Sequence, residues 1–179
     1  MKKKIMTILA GTMLLANLSY AAPITDLNQG ETKAGYNHYN LDVSGLSVKD
    51  DSFYLEHGLS PKFNLGIERN GYSFTGGDSD TTDIYAHYKL DKKIRLIVGD
   101  RSYSSGPDKV FYGIGADVNL APKLDGYASV TASSLATEWQ TGVNYKLDKQ
   151  ASLHVGYKSY KEDNAPTMDG LGFGVNYQF

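Results

Sequence analysis

The last ten residues of the chain decide its fold: Gly170-Leu171-Gly172-Phe173-Gly174-Val175-Asn176-Tyr177-Gln178-Phe179. Large apolar side chains occupy every second position, and glycines or amides occupy the positions between them. Because successive side chains of a β-strand point to opposite faces, this alternation predicts a strand with one apolar face and one small, polar face. A strand of about ten residues crosses the hydrocarbon layer of a bilayer when it is tilted.

Four similar turn segments divide the preceding sequence. Each has a Leu followed by Pro, Asp or charged residues and then a new alternating run, at positions 58–62, 89–93, 119–123 and 146–150. Pro and Asp favour tight turns through a fixed φ and through side-chain-to-backbone bonds. The segments begin 31, 30 and 27 residues apart (58, 89, 119, 146), which suits one two-stranded hairpin per repeat. With the first and last strands, the pattern predicts an all-β, antiparallel up-and-down barrel of ten strands, or alternatively of eight.

The N-terminus has the three-part layout of a secretory signal peptide. Lys2, Lys3 and Lys4 precede an uncharged, mostly apolar run at 5–18, and Ser19 and Ala21 are the small residues expected before a cleavage site. The run is too short to span a bilayer comfortably. We therefore expect residues 1–21 to be a cleaved signal peptide and residues 22–179 to form one outer-membrane barrel.

Composition excludes several other classes of protein. The chain has no Cys, so it forms no disulfide and no thiolate metal site. Without the three leader lysines, the 18 basic and 20 acidic residues become 15 and 20, a net charge of −5. No basic patch suited to nucleic acid is present. No segment after the leader is apolar and long enough for a membrane helix, so a membrane location requires a closed barrel.

The polar face of the predicted strands carries charged residues among many glycines. These are Glu68, Asp83, Arg95, Arg101, Asp117, Glu138 and Lys158. A small barrel has little internal space, so small residues and paired charges suit its lumen. We expect these residues to form an ion-pair network, centred on Arg95 and Arg101, in a plugged or very narrow lumen.

Two patterns favour a membrane barrel over a soluble one. The connections opposite the tight turns look longer, at 44–50, 73–81, 102–109 and 161–169. Aromatic residues collect near strand ends, as in interfacial girdles: Phe63, Tyr72, Tyr88, Tyr103, Tyr112, Tyr145, Tyr157 and Tyr177. The first strand, about Thr32–Val43, is irregular because Tyr36 and Tyr39 are three residues apart, and we expect a bulge there.

The sequence contains no recognisable catalytic motif. There is neither a Gly-x-Ser-x-Gly elbow nor a His-Glu-x-x-His helix. His87 and His154 fall on the polar face, where Asp83 and Glu138 could pair with them. The Asp-rich segment 76–83 resembles a loose calcium loop but lacks the closing Glu. We predict no catalytic site, no metal and no cofactor.

The C-terminal region resembles known bacterial barrels. A Tyr-x-Phe end on a strand that presents Phe173, Val175, Tyr177 and Phe179 resembles the assembly signal of the outer-membrane insertion machinery. Residues 138–179 are similar to the C-terminal third of YfaZ-type small barrels and, more broadly, to porin-like and OmpA-type barrels. The quoted matches are Gly142-Val143-Asn144-Tyr145, Leu153-His154-Val155-Gly156-Tyr157-Lys158-Ser159-Tyr160 and Gly172-Phe173-Gly174-Val175-Asn176. The resemblance implies a Gram-negative outer membrane, with its lipid and insertion machinery as partners.

The resemblance implies no substrate, and three roles follow as hypotheses. The first is a structural or narrow porin-like barrel. The second is a surface adhesin or receptor that acts through its outer loops. The third is a barrel enzyme acting on lipid or peptide, which rests only on the lumen histidines. We favour the first role and expect no enzyme activity, and the sequence leaves the oligomeric state open.

Deletion of Phe179 tests the assembly signal. We expect the shortened chain to insert several-fold less well, because the last strand loses its terminal apolar side chain. The share of protein whose gel mobility changes on heating measures assembly, and Phe179→Trp is the aromatic control. Normal assembly of the deletion variant would contradict the prediction.

Overall fold

The chain folds into a closed barrel of ten antiparallel strands. The computed structural model describes residues 22–24, 26–104, 106–163 and 165–179, and the predicted signal peptide lies outside them. The strands are β1 (Thr32–Val43), β2 (Leu46–Gly58), β3 (Phe63–Phe74), β4 (Gly77–Lys89), β5 (Ile94–Tyr103), β6 (Lys109–Ala121), β7 (Leu124–Ser133), β8 (Ala136–Lys146), β9 (Ala151–Glu162) and β10 (Met168–Gln178). The all-β fold and the count of ten are confirmed, and the eight-stranded alternative is wrong.

Closure of the barrel joins the two ends of the domain. β1 and β10 pair from Lys33↔Gln178 to Asp42↔Asp169. Beyond this ladder, Thr32 and Phe179 exchange two backbone hydrogen bonds, each 2.8 Å long. The register of β1 is continuous with both neighbours, so the bulge predicted there is wrong. Tyr36 packs on the outer face against Phe53, and Tyr39 is buried on the inner face. A regular strand therefore accommodates both tyrosines without a bulge.

The apolar faces of the strands form the outer surface of the barrel. Phe173 is 59% exposed and Phe179 62%. Residues of the same kind are exposed on the other strands, including Phe53, Leu65, Ile84, Val98, Tyr112, Val130, Trp139 and Val155. A soluble protein would bury side chains of this size, whereas a membrane barrel directs them to lipid.

The repeated turns close one end of the barrel, which we call the turn end. They occupy positions 59–62, 90–93, 122–123 and 147–150. The Asp91 carboxylate accepts hydrogen bonds from the backbone N–H groups of Lys93 and Ile94, at 2.6 and 2.8 Å. Asp148 makes the same two contacts in its own turn. These bonds lower the pKa of both carboxyls and explain why Asp recurs after Leu.

The connections at the opposite end are shorter than the sequence predicts. They occupy only 44–45, 75–76, 104–108, 134–135 and 163–167, so the predicted asymmetry of loop length is wrong. The strands continue beyond the apolar surface, and their outward side chains there are polar, as with Asp78 and Asp80 on β4. A polar segment can be a strand when its neighbours supply the backbone partners. The Asp-rich segment 76–83 is therefore mostly strand, and the loop predicted there is wrong.

The predicted aromatic girdles also need a correction. Tyr72 and Tyr103 belong to the inner face, since they have the same parity along their strands as buried Glu68 and Arg101. Tyr72 is almost fully buried in the lumen. The other six aromatic residues lie on the outer face, where Tyr157 stacks on Trp139 with ring centroids 5.2 Å apart.

Inside the barrel, aromatic rings lie against glycines of the neighbouring strand. Five such cross-strand pairs are Gly35–Tyr54, Gly66–Tyr85, Gly99–Phe111, Gly142–Tyr127 and Gly172–Tyr39. A Cβ atom at Gly172 would lie 2.2 Å from Cδ1 of Tyr39, closer than real contacts allow. The glycines of the inner face therefore provide the space that the rings fill.

Gly172→Ala tests this packing. We expect it to destabilise the barrel by about 1 to 3 kcal/mol, because the new methyl overlaps the base of the Tyr39 ring. The midpoint of urea unfolding in lipid vesicles measures the change. Gly71→Ala is the control, since its Cβ would meet no atom closer than 3.4 Å. Equal midpoints for the two variants would contradict the prediction.

Candidate functional site

All seven charged residues predicted for the lumen lie on the inner face. Six of them are almost fully buried, and the side chain of Asp117 is 19% exposed. They come from six strands: Glu68 (β3), Asp83 (β4), Arg95 and Arg101 (β5), Asp117 (β6), Glu138 (β8) and Lys158 (β9). Two of the ion pairs that the structure shows, Arg101–Asp83 and Arg95–Asp117, lie within this set, and Lys158 pairs with a residue outside it.

Arg101 and Asp83 form one of these pairs as direct cross-strand neighbours. Both guanidinium nitrogens Nε and Nη2 donate to the two carboxylate oxygens, so the contact is bidentate. The guanidinium also lies over the Phe111 ring, 5.4 Å from its centroid. Two parallel hydrogen bonds hold both side chains in one orientation, which suits a buried charge pair.

A second pair, Arg95 with Asp117, lies nearer the turn end. Arg95 is 1% exposed, and its Nη2 donates to Oδ1 of Asp117 on the neighbouring strand. Arg95 and Arg101 are therefore held by different carboxylates on opposite neighbours of β5.

The third pair involves a residue that the sequence analysis missed. Lys158 Nζ lies 2.7 Å from Oδ2 of Asp50 on β2 and 3.3 Å from the hydroxyl of Tyr72. Its ammonium also lies over the rings of Tyr39 and Tyr72. This contact crosses the lumen between residues 108 positions apart. The sequence pattern predicts that Asp50 belongs to a connection, whereas the exposed Phe53 and Leu55 have the opposite parity on β2 and Asp50 lies on the inner face.

Glu68 lies directly opposite Asp83 across β3 and β4. Its Oε2 accepts a hydrogen bond of 3.0 Å from the backbone nitrogen of Ala22, which lies inside the barrel. Two buried carboxylates on facing positions repel one another unless donors or cations compensate them. Arg101 provides this compensation for Asp83, and Ala22 contributes a donor to Glu68.

The lumen histidines have other partners than the sequence suggests. His87 Nδ1 lies 3.3 Å from Oε1 of Glu56, another acidic residue that the sequence analysis did not select. His154 Nε2 lies 2.8 Å from the Tyr127 hydroxyl. Glu138 accepts a hydrogen bond from Gln140. Across the described ranges, no three His, Asp or Glu side chains are grouped closely enough to hold a metal ion.

The end of the lumen opposite the turns is filled by apolar side chains. This cap, which we call the far cap, comprises Tyr39, Leu41, Val43, Val48, Tyr72, Tyr160 and Met168. Leu46, Phe74 and Ala136 pack against it. The far cap separates the Lys158–Asp50 pair from the water outside that end.

The other side of the lumen is filled by the segment before β1, which we call the N-terminal segment (residues 22–24 and 26–31). Ala22 and Ile24 pack in a buried cluster with Tyr54, Tyr85, Ile97, Phe111 and Tyr127. Lys89 anchors the segment, since its Nζ lies 2.7 Å from Oδ1 of Asp26 and donates to the Leu27 carbonyl. Sequence alternation gave no signal for this contact because the segment is not a strand.

A cavity of about 760 Å³ remains at the turn end. Its lining includes Asp26 and Ile24 of the N-terminal segment, Lys33 of β1 and the turn residues Pro122, Lys123 and Asp148. The cavity lies between the N-terminal segment and the strand wall. It forms a polar vestibule at one mouth of the barrel.

The four residues predicted as the assembly signal lie together on the outside of the barrel, along β10 and at the residue after it. Phe173, Val175, Tyr177 and Phe179 are all exposed, and the rings of Tyr177 and Phe179 stack with centroids 6.2 Å apart. Their side chains thus form a continuous apolar edge next to the closing seam with β1.

These features define the class of the protein. A closed antiparallel barrel with an apolar outer surface and a polar interior is the β-structure that satisfies its backbone within lipid. Barrels of this type occupy the outer membranes of bacteria, and this chain is one of them by fold and by surface. Among the described residues, no helix is apolar and long enough to cross a bilayer.

Several solved structures are similar to this chain. The N-terminal β-barrel domain of Pseudomonas aeruginosa OprF is 11% identical, covers 86% of this chain and 100% of its own, and has a TM-score of 0.47. The KdgM porin is 11% identical, with coverage of 82% and 99% and a TM-score of 0.48. Ail of Yersinia pestis is 10% identical, with coverage of 84% and 99% and a TM-score of 0.39. No family description and no curated protein matches the sequence.

Lys158→Met tests the pair that crosses the lumen. We expect a loss of about 3 to 5 kcal/mol in unfolding free energy, because Asp50 would remain buried without its cation. The double variant Lys158→Met/Asp50→Asn should recover most of the loss, since it removes both charges. Lys161→Met on the same strand but exposed is the control. Urea unfolding in vesicles measures all three, and a double variant as unstable as the single one would contradict this account.

Proposed function

We propose that this chain is a structural barrel of the outer membrane whose lumen is closed in its resting form. The observation that carries the proposal is that the lumen is filled from both sides. The far cap fills one end, and the N-terminal segment packs against the aromatic residues of the interior from the other. The vestibule therefore ends inside the barrel.

Electrostatics supports a closed lumen as well. An ion crossing the barrel would have to pass Lys158 and Asp50, which are buried and bonded to each other across the lumen. Removing the hydration shell of an ion costs several kcal/mol. Lys158 and Asp50 are already bonded to each other, so they would compensate little of that cost. Conduction would need displacement of the N-terminal segment together with rearrangement of the far cap. A narrow porin-like role is therefore the second candidate function, and it requires both changes.

The structure changes which surface a receptor role would use. The connections opposite the turns are short, so a surface receptor would use the projecting polar ends of the strands more than long loops. Asp78, Asp80 and Asp100 lie on the outward faces of those ends. For the enzyme hypothesis, His87 and His154 lie in the packed interior, each beside a lumen side chain. We propose that the protein has no catalytic role.

Single-channel recording tests the closed lumen. Protein that begins at Ala22, reconstituted in planar bilayers in concentrated potassium chloride, should give no reproducible conductance steps. An open porin prepared in the same detergent is the positive control, and protein-free detergent is the blank. Regular steps from the unmodified barrel, in preparations that show complete heat-modifiable folding, would overturn the proposal.

A further inference from the structure

We infer that the lumen is a binding site for the protein's own processed N-terminus, with Glu68 as the receptor of the new Ala22 ammonium group. The site takes a primary ammonium that enters from the turn end. This inference deepens the closed-lumen proposal and rests on it for its functional meaning, since the bound N-terminus would hold the plug in place. It joins the cleavage site in the sequence to a hydrogen bond in the interior.

The position of the cleavage site is what makes the contact informative. Ser19 and Ala21 are the small residues that signal peptidases require, so cleavage falls between Ala21 and Ala22. Hydrolysis breaks that peptide C–N bond, water supplies the hydroxyl for the Ala21 carboxyl group, and Ala22 keeps the nitrogen as an amine. The amine takes up a proton at neutral pH and becomes an ammonium.

The nitrogen that gains this charge is already at a carboxylate. Ala22 N lies 3.0 Å from Oε2 of Glu68, and both residues are fully buried. As a peptide nitrogen it can donate one hydrogen bond, whereas the processed ammonium can donate three and carries a positive charge. Cleavage thus converts a neutral contact into a charge-assisted one at the same place.

The charges around Glu68 favour an added cation, because a second buried carboxylate faces it. Among the described residues, five acidic side chains are buried: Asp50, Glu56, Glu68, Asp83 and Glu138. The buried Lys and Arg side chains are Lys33, Arg95, Arg101 and Lys158, and the buried His87 lies beside Glu56. One of these, Arg95, also serves the partly exposed Asp117. Glu68 and Asp83 face each other across β3 and β4, and a cation at Ala22 would reduce the repulsion between their carboxylates.

The neighbouring residues hold the segment in the orientation that this requires. Ile24 is 1% exposed and packs against Gly115. A Cβ atom at Gly115 would lie 1.9 Å from Cδ1 of Ile24, so only glycine leaves room for this side chain. Leu27 is buried as well, and Lys89 bonds both Asp26 and the Leu27 carbonyl. The segment thus enters the barrel at the turn end through fixed contacts and ends at Glu68.

Burial of Ala22 also sets the order of events. A peptidase cannot reach a bond whose nitrogen lies inside the closed barrel, so cleavage precedes closure of the lumen around the segment. The ammonium exists before the barrel is complete and is captured as the strands close. A chain that folds without cleavage would place an uncharged amide beside Glu68.

Protection of the α-amine tests the inference. Protein exported with its own leader and extracted from outer membranes is treated with acetic anhydride near neutral pH, where α-amines react ahead of lysines. Mass spectrometry identifies the first residue and follows acetylation of the peptide that begins at Ala22. We expect acetylation roughly tenfold slower in the folded barrel than in the denatured chain, because reaction requires local opening.

Two variants assign the protection to Glu68. Glu68→Gln should raise the acetylation rate several-fold, and Glu138→Gln, which removes another buried carboxylate, should leave the slow rate unchanged. If Glu68→Gln fails to fold, a chain with one glycine added before Ala22 keeps Glu68 and should also react faster, because its ammonium is displaced. A different first residue, equal rates in folded and denatured protein, or slow reaction in the variants that displace the amine would overturn the inference.

The outcomes separate this inference from the closed lumen. A reactive α-amine in a barrel that is silent in planar bilayers overturns the N-terminal site and leaves the closed lumen standing. A protected α-amine in a barrel that gives conductance steps retains the site and overturns the closed lumen. Slow acetylation that depends on Glu68, together with silence, supports both.

Discussion

The structure depends on one requirement: each backbone N–H and C=O group within lipid must find a partner in the protein. In a sheet this is possible only when the last strand returns to the first. The two hydrogen bonds between Thr32 and Phe179 complete that return at the turn end. Once the sheet is closed, the apolar alternate residues must face lipid and the remaining residues must share a small interior. The inner composition of the chain follows from this division.

The interior of ten strands is too narrow for ten rows of large side chains and too wide for glycine alone. The chain resolves this by placing a ring on one strand against a glycine on the next, as with Tyr39 and Gly172 or Tyr85 and Gly66. Each ring covers its neighbour's backbone and leaves the centre to a few long charged side chains. This explains why tyrosine and glycine are both abundant in a chain with a single Trp.

The sequence was sufficient to predict the strand count and the orientation of the faces, because the period of two and the repeated turns are local signals. The sequence was not sufficient where a structural feature depends on contacts between residues that are far apart in the chain. Polarity near 73–81 suggested a loop, since sequence alone does not show that β3 and β4 supply each other's backbone partners. Asp50 was missed because its partner Lys158 is on a distant strand. The N-terminal segment has no periodicity, so only tertiary structure could place it in the lumen.

The same closure links the charges of the lumen to export. A membrane barrel must become polar inside as it becomes apolar outside, and each buried carboxylate needs compensation in an interior with little water. Cationic side chains provide most of this compensation here, but their number and positions are fixed by the sequence of the strands. A chain terminus can add one, because the predicted cleavage before Ala22 would create one cation for each chain at a defined place. On the predicted processing, such a cation would appear only in chains that have crossed the inner membrane and been cleaved. Compensation of Glu68 by Ala22 would therefore favour the closed lumen in processed chains alone.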